Sequence, residues 1–191
     1  MKIERNKTAL LVIHFQNDFC QTHSDESIQG AKRIAKKINQ LIKFCEKNAV
    51  QILLSKATYD SKYLSDFQKL HWMKEEDYPC REGTKGHEYY KLKIPKSAVE
   101  FKSSRNDSFV GTPLETLLKA KGIDTLLIVG ATTEVCVHTT TCSADARDFR
   151  AIVIQDCVGS PNPLRHEVSL SILRDHFADV IPSKMLMRLI Q

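Results

Sequence analysis

The amino-acid sequence predicts an α/β fold built on a doubly wound parallel sheet. Short runs of consecutive apolar residues recur along the chain, and segments with a helical pattern lie between them. Continuous rather than alternating apolarity is typical of strands that are covered on both faces, as in a parallel sheet. The predicted strands span residues 9–13, 51–55, 98–101, 126–129 and 151–155, with a short edge strand at 178–181. Strands that alternate with helices in this way favour the doubly wound arrangement.

The clearest helical pattern lies between the first two predicted strands, at residues 30–48. Five apolar side chains follow one another there at spacings of four, three, one and three, which places them on one face of a helix. They are Ile34, Ile38, Leu41, Ile42 and Cys45. We expect this face to join the core and the lysines of residues 32–43 to form the solvated face.

Two further helices are indicated by their end signals. One begins at Thr112, which is predicted to form a capping box with Glu115 around Pro113 in the first turn, and it ends at Gly122. The other is predicted to span residues 162–177, because an Asn-Pro pair precedes its helical pattern.

Composition restricts the class of protein. The chain has 191 residues, six cysteines and a net charge of +5. We expect one domain over residues 1–191, since this length can bury a large core. The basic excess is too small and too scattered to predict nucleic-acid binding. No apolar run approaches the roughly 20 residues of a membrane span, and no signal peptide is evident, so we expect a cytoplasmic protein with reduced thiols.

Residues 60–96 interrupt the alternation of strands and helices. The segment is rich in Lys, Glu, Tyr and Gly, and it contains the single tryptophan, Trp72. Long ordered excursions of this kind often serve as lids or substrate walls. We therefore predict that residues 60–96 form a lid or a pocket wall.

Chemically useful side chains follow three of the predicted strands. His14 follows the first strand, Lys102 the third, and Cys136 lies in the polar turn after the fourth. Ligands of doubly wound sheets bind at the carboxyl ends of the strands, where these three residues are predicted to meet. A thiol at a helix start is acidified by the helix dipole and by a nearby lysine, and a histidine can serve as its base. The alternative is a core cysteine with a surface lysine.

Several stretches resemble the isochorismatase-like cysteine hydrolases. They are residues 9–19 (ALLVIHFQNDF), 83–86, 99–102, 108–114, 130–137 (GATTEVCV) and 156–160. They occur in the order and spacing of that family and extend over most of the chain. The resemblance implies a Rossmann-like three-layer α/β/α fold with a central six-stranded parallel sheet. It also implies that the chain assembles into a dimer or tetramer.

The resemblance further implies site residues. Amidase members of the family use an Asp–Lys–Cys triad, in which Cys136 matches the nucleophile and Lys102 the lysine. A cis peptide bond in the nucleophile turn matches Ala131–Thr132, which would direct backbone N–H groups, including that of Cys136, at a developing oxyanion. A small amide or ureido compound whose C–N bond is hydrolysed is the implied substrate.

The sequence departs from the family pattern at the position of the catalytic aspartate, which is His14 here. Three interpretations follow. The imidazole replaces the carboxylate as base, since Cys–His pairs support hydrolysis. Alternatively, the chain has lost hydrolysis and retains the pocket as a binding or interaction protein. Third, another acid, Asp18 or Asp60, supplies the base.

Pocket and metal residues are predicted from their positions along the chain. We expect the pocket to be lined by Phe15, Gln16, Tyr59, Asp60 and Trp72. The Asp-x-His metal motif of the nicotinamidases is absent, because the matching place reads Asp-Ser-Lys at residues 60–62. His71 and His87 lie too far along the chain to replace it convincingly, so we predict no metal and no cofactor.

Overall fold

The computed structural model describes residues 3–21, 27–70 and 77–190. Its centre is one six-stranded sheet in the order β3-β2-β1-β4-β5-β6, and every neighbouring pair is parallel. The strands are β1 (Thr8–Ile13), β2 (Gln51–Ala57), β3 (Val99–Ser103), β4 (Thr125–Ala131), β5 (Arg150–Gly159) and β6 (Asp179–Ile181). The predicted fold class and all six predicted strands are confirmed.

Helices cover both faces of the sheet. The α-helices in the described residues are α1 (Asn17–Cys20), α2 (Ala31–Lys47), α3 (Asp66–Lys69), α4 (Leu114–Ala120), α5 (His138–Asp145), α6 (Pro163–His176) and α7 (Ser183–Leu189). Helices α2 and α7 contribute to one apolar cluster, which also holds Leu10 and Val12 of β1. Helices α4, α5 and α6 contribute to a second cluster with Leu11 and Ile13. Adjacent residues of β1 thus pack against helices on opposite faces of the sheet, which explains why the strand is a continuous apolar run. None of the helices among the described residues is long and apolar enough to span a bilayer.

The predicted face of α2 is confirmed. Its five apolar side chains at residues 34–45 are all buried in the first cluster.

At the start of α4 the predicted capping box is wrong. The hydroxyl of Thr112 accepts a hydrogen bond from the N–H of Leu114 at 3.2 Å, while Glu115 pairs with Lys119 and Arg147. These cations draw the carboxylate away from the helix terminus. At α6, Asn162 caps the N–H of Arg165 at 3.0 Å, as its position before Pro163 indicates.

The backbones of β1 and β4 approach each other very closely at one point. The strand order reverses at this pair, so the connections leave in opposite directions and a crevice forms at the carboxyl ends. Ile13 is in register with Gly130 at this point. Gly130 has φ of +125°, and a Cβ added there would lie 2.0 Å from the carbonyl oxygen of Ile13. Only a glycine therefore permits this approach of the two strands.

We predict that Gly130→Ala lowers the free energy of unfolding by about 4 kcal/mol or more, because the backbone of β1 cannot yield. Gly122→Ala is the matched control, since Gly122 also has positive φ (+64°) but no atom within 4 Å of an added Cβ. That variant should lose only about 1–2 kcal/mol. Urea unfolding of both measures the difference, and equal losses would contradict the close contact between β1 and β4.

Candidate active site

A cavity of about 630 Å³ lies at the carboxyl edge of the sheet. Its walls come from the segments that follow β1 to β4, from residues 65–70 and from Pro79. The lining residues in the described part of the chain are Phe19, Tyr59, Ser65, Phe67, Gln68, Leu70, Pro79, Arg105, Asn106, Thr132, Val135 and Cys136. The segment 60–96 thus contributes five of them to one wall of the cavity.

Cys136 lies in the helical turn between β4 and α5. Residues Thr133–Val137 form one π-helical turn that runs into α5, and the preceding Ala131–Thr132 peptide bond is cis. The thiol donates a weak hydrogen bond to Asn106 Oδ1 at 3.8 Å. Burial raises the pKa of Cys136 to about 12, although the backbone N–H of Thr132 acts in the opposite direction. The position at a helix start is therefore not enough to offset burial, and Cys136 is a thiol at neutral pH.

His14 is fully buried beneath the end of β1. It has φ of +45° and none of its side chain is exposed. Its Nε2 lies 3.1 Å from Ser55 Oγ, and the hydroxyl of Ser108 donates to the same oxygen at 2.9 Å. Burial lowers the pKa of His14 to about 3. The imidazole is consequently neutral at physiological pH.

The bonds around His14 form a chain, which we call the polar relay: Ser108, Ser55 and His14. The Ser55 hydroxyl is thus shared between the Ser108 hydroxyl and Nε2 of His14. Nδ1 has no partner among the described residues. The Ser108 N–H donates to Thr140 Oγ1 of α5 at 3.0 Å. The thiol of Cys136 takes no part in this chain, so the relay holds the histidine without linking it to the nucleophile.

The structure does not place Lys102 in the cavity, and the prediction that it supports the thiol is corrected. Side chains alternate along β3, so Phe101 and Ser103 are buried while Lys102 is exposed on the other face. Its ammonium forms an ion pair with Glu82 and lies 5.6 Å from the ring centre of Tyr63. Hydrogen bonds from Lys102 and Lys62 lower the pKa of Glu82 to about 2. The lysine charge is therefore neutralised at the surface.

Two predicted pocket residues belong to the interior instead. Phe15 is fully buried in the first apolar cluster, where it packs edge-on against Tyr90. Gln16 donates to the carbonyl oxygens of Ala57 and His87, each at 2.9 Å, and accepts from the N–H of Ala57 at 2.7 Å. Its amide thereby ties β1 to β2 and to residue 87. Neither residue lines the cavity, because the chain turns inward after His14.

Tyr59 lines the cavity, with its hydroxyl donating to Asn106 Oδ1 at 3.3 Å. Asp60 turns away, because its carboxylate accepts from the N–H of Lys62 at 3.2 Å. The carboxylate of Asp18 accepts a hydrogen bond from the N–H of Cys80 at 2.6 Å and packs against Gly86. Neither carboxylate is placed to act as base for the thiol. Trp72 lies outside the described residues, so its predicted place in the pocket stays a prediction.

The donors named for a metal do not fit one. No group of three or more His, Cys, Asp or Glu side chains is placed to hold an ion within residues 3–21, 27–70 and 77–190. Asp60 lies 3.8 Å from the ammonium of Lys62, and His87 Nε2 bonds to Thr58 Oγ1 at 2.9 Å. His71 falls outside the described residues.

Sequence reasoning missed Arg105 and Asn106. Both follow β3 at the carboxyl edge, so the rule that led to Lys102 also applies to them, three or four residues further on. Arg105 donates to the carbonyl oxygen of Ser104 at 3.0 Å and to its hydroxyl at 3.1 Å. Among the described lining residues it is the only one with a formal charge. The cavity thus combines one cation with a neutral thiol and apolar walls.

The raised pKa of Cys136 predicts slow alkylation. At neutral pH we expect iodoacetamide to modify Cys136 about tenfold or more slowly than free cysteine, because its thiolate fraction is smaller. The rate should climb with pH through pH 9. Peptide mass spectrometry follows the reaction, with the half-buried Cys142 of the same chain as internal reference. Faster reaction than free cysteine near pH 7 would show an activated nucleophile.

The depressed pKa of His14 predicts acid sensitivity. Folded His14 has a pKa of about 3, so the unfolded chain takes up an extra proton between about pH 6.5 and 3, and stability falls as the pH falls through that window. From pH 7.5 to 5 this group should remove about 2 kcal/mol from the free energy of unfolding. Urea titrations of wild type and His14→Gln give the difference, with the exposed His176→Gln as matched control. Identical pH profiles for wild type and His14→Gln would contradict a buried neutral imidazole.

Comparisons with solved structures extend over nearly the whole chain. A nicotinamidase of Bacillus subtilis aligns with a TM-score of 0.80 at 27% identity, covering 92% of this chain and 99% of that one. A cysteine hydrolase of Pseudomonas syringae aligns with a TM-score of 0.88 at 19% identity, covering 98% and 94%, which shows the shared fold.

Sequence comparisons agree with the structural ones. A protein of Arabidopsis thaliana named as a probable inactive nicotinamidase is 25% identical over 85% of this chain and 86% of its own length. A maleamate amidohydrolase of Pseudomonas putida is 34% identical over 39% of this chain and 35% of its own. The model of the isochorismatase domain matches residues 8–185. Together with the six-stranded sheet and the Cys136 turn, this match shows that the chain belongs to the isochorismatase family.

Proposed function

We propose that this chain binds a small amide or ureido compound with a carboxylate group in the Cys136 cavity, and that it does not carry out base-activated hydrolysis. This is the second of the three interpretations of His14. One observation carries it: His14 is kept neutral by burial, its Nε2 bonds to Ser55, and it does not line the cavity, so the thiol has no base among the described lining residues. Of the features that such a hydrolase would require, only the cysteine and its turn lie at the cavity.

The missing base is a matter of charge as well as of hydrogen bonding. A catalytic Cys–His pair forms its thiolate by transferring the thiol proton to the imidazole, which must then carry a positive charge. Burial opposes that charge on His14 and lowers its pKa to about 3. Burial also opposes the thiolate and raises the pKa of Cys136 to about 12. Proton transfer between the two is therefore strongly unfavourable, and Lys102 does not offset it, because its ammonium pairs with Glu82 and does not line the cavity.

The character of the lining supports a carboxylate on the ligand. Arg105 is the one charged group among the described lining residues, and no acidic side chain forms an ion pair with it in the described part of the chain. A guanidinium binds a carboxylate through two parallel hydrogen bonds. Asn106 also lines the cavity beside Arg105, and Phe19 and Leu70 supply apolar contact.

The printed names of relatives support the same ligand class. They include a maleamate amidohydrolase, an N-carbamoylsarcosine amidase and ureidoacrylate amidohydrolases. Each of the compounds named there combines a carboxylate with an amide or ureido C–N bond. The Arabidopsis relative carries the name of a probable inactive nicotinamidase, which supports a retained pocket without hydrolysis.

A second candidate is hydrolysis by Cys136, the function that the sequence favours. Its specific support is the thiol at the cavity, with the backbone N–H of Thr132 placed to favour negative charge. In this scheme the sulfur attacks the carbonyl carbon and the C–N bond breaks. The thiol proton passes to the leaving nitrogen, and water then hydrolyses the thioester. His14 would serve as base only after leaving the relay.

We predict that wild type binds maleamate or N-carbamoylsarcosine, that Arg105→Met weakens binding about tenfold or more, and that Arg105→Lys weakens it less. Isothermal titration measures the affinities, and the carboxamide analogues of the same compounds test the need for the carboxylate. No ammonia should be released.

Ammonia release that Cys136→Ser and His14→Gln both abolish would establish the hydrolase instead. Equal binding by wild type and Arg105→Met would exclude the carboxylate-binding role of Arg105.

The predicted dimer or tetramer stays a separate proposal, which sedimentation equilibrium tests.

A further inference from the structure

A concentration of lysines lies on α2, away from the Cys136 cavity. We call it the lysine groove, a depression of about 660 Å³ between α2 and the facing loop at residues 91–93. Its rims carry five lysines and one acidic residue, Glu46, and its floor holds Ala35 and Ile42. The lysines are Lys32, Lys36, Lys43, Lys91 and Lys93.

The groove is preformed by hydrogen bonds across it. Asn39 donates to the carbonyl oxygen of Lys91 at 2.9 Å and accepts from the N–H of Lys93 at 2.7 Å. These bonds fix the loop against the helix. On the helix, Lys32, Lys36 and Lys43 are separated by four and seven residues, so they project from the same side. A ligand of the groove therefore meets two fixed basic rims.

The charge of the groove is not neutralised within the protein. In the described part of the chain none of its five lysines has an acidic partner within 4.0 Å, whereas Lys37 on the same helix pairs with Asp156 at 3.2 Å. Five lysines against one glutamate represent most of the net charge of +5 of the whole chain. A surface that gathers like charges in a concave site attracts an acidic partner more strongly than scattered charges do.

We propose that the lysine groove docks an acidic, extended segment of a partner protein. The basic rims suit a peptide rich in acidic side chains, since charges across an interface are arranged to be complementary. The described lining contains no aromatic side chain on which bases could stack, and its concave shape does not match a flat lipid surface. The site is separate from the Cys136 cavity, because α2 and Cys136 pack on opposite faces of the sheet. This inference does not rest on the proposed function.

The test is fluorescence anisotropy with a fluorescein-labelled peptide of four Glu-Glu-Leu repeats. We expect wild type to bind it and affinity to fall as salt is added. Lys36→Glu/Lys43→Glu should weaken binding about tenfold or more, since two attractive charges become repulsive. Lys121→Glu/Arg174→Glu is the matched control, because it changes the net charge equally at exposed positions outside the groove. It should leave affinity within about twofold of wild type.

Circular dichroism establishes that each variant is folded, and Lys91→Glu/Lys93→Glu on the facing loop provides a second test of the groove. Equal loss in the groove and control variants would overturn the proposal, since net charge alone would then explain binding. So would the absence of binding by wild type at low salt. Tighter binding of a single-stranded oligonucleotide or of phosphatidylserine vesicles would overturn it in favour of a different polyanion.

Discussion

A histidine without access to water at the end of β1 is the constraint on which the site depends. A polar group buried at the carboxyl edge must find its hydrogen bonds inside the protein, because an unsatisfied one costs about 1–3 kcal/mol. His14 finds one at Ser55, and Ser55 is in turn supported by Ser108. The relay thus joins the ends of β1 and β2 to the segment after β3, and through Thr140 to α5. The bond to Ser55 satisfies Nε2, Nδ1 has no partner among the described residues, and burial holds the imidazole in its neutral form.

The groups around His14 are neutral where they are buried, and the charged groups lie at the surface or face the cavity. The interior edge contains neutral groups, namely His14, the serines and the Cys136 thiol, because a buried charge without a partner is strongly disfavoured. Lys102 lies at the surface with Glu82, and the carboxylate of Asp18 is engaged by the N–H of Cys80. Arg105 remains as the charge that faces the cavity. Such a site is better suited to recognising an anion than to generating a thiolate.

Much of the fold could be predicted from the sequence, and for a physical reason. Strands covered on both faces must be apolar throughout, so β1 and β4 are visible as uninterrupted apolar runs. The helical face of α2 follows from spacing alone. Cys136 could also be placed, because a glycine, a polar turn and a helical pattern follow β4 in order.

The errors in the site concern side-chain direction and environment. Lys102 follows an apolar run, but a shift of one residue along a strand changes the face, and Ser103 has the inward position. Phe15 and Gln16 are adjacent to His14 in sequence, yet the turn there directs both into the interior. The basicity of His14 could not be predicted either, since its pKa depends on burial that only the assembled fold provides.

The protonation state of His14 is the most direct test of this account. Long-range ¹H–¹⁵N correlation spectra of the imidazole, assigned by comparison with His14→Gln, report which nitrogen carries the proton. We expect a neutral ring with a single proton across the physiological pH range. A ring that gains a second proton with a midpoint near neutrality, or one whose shifts change when Cys136 is replaced by serine, would contradict it.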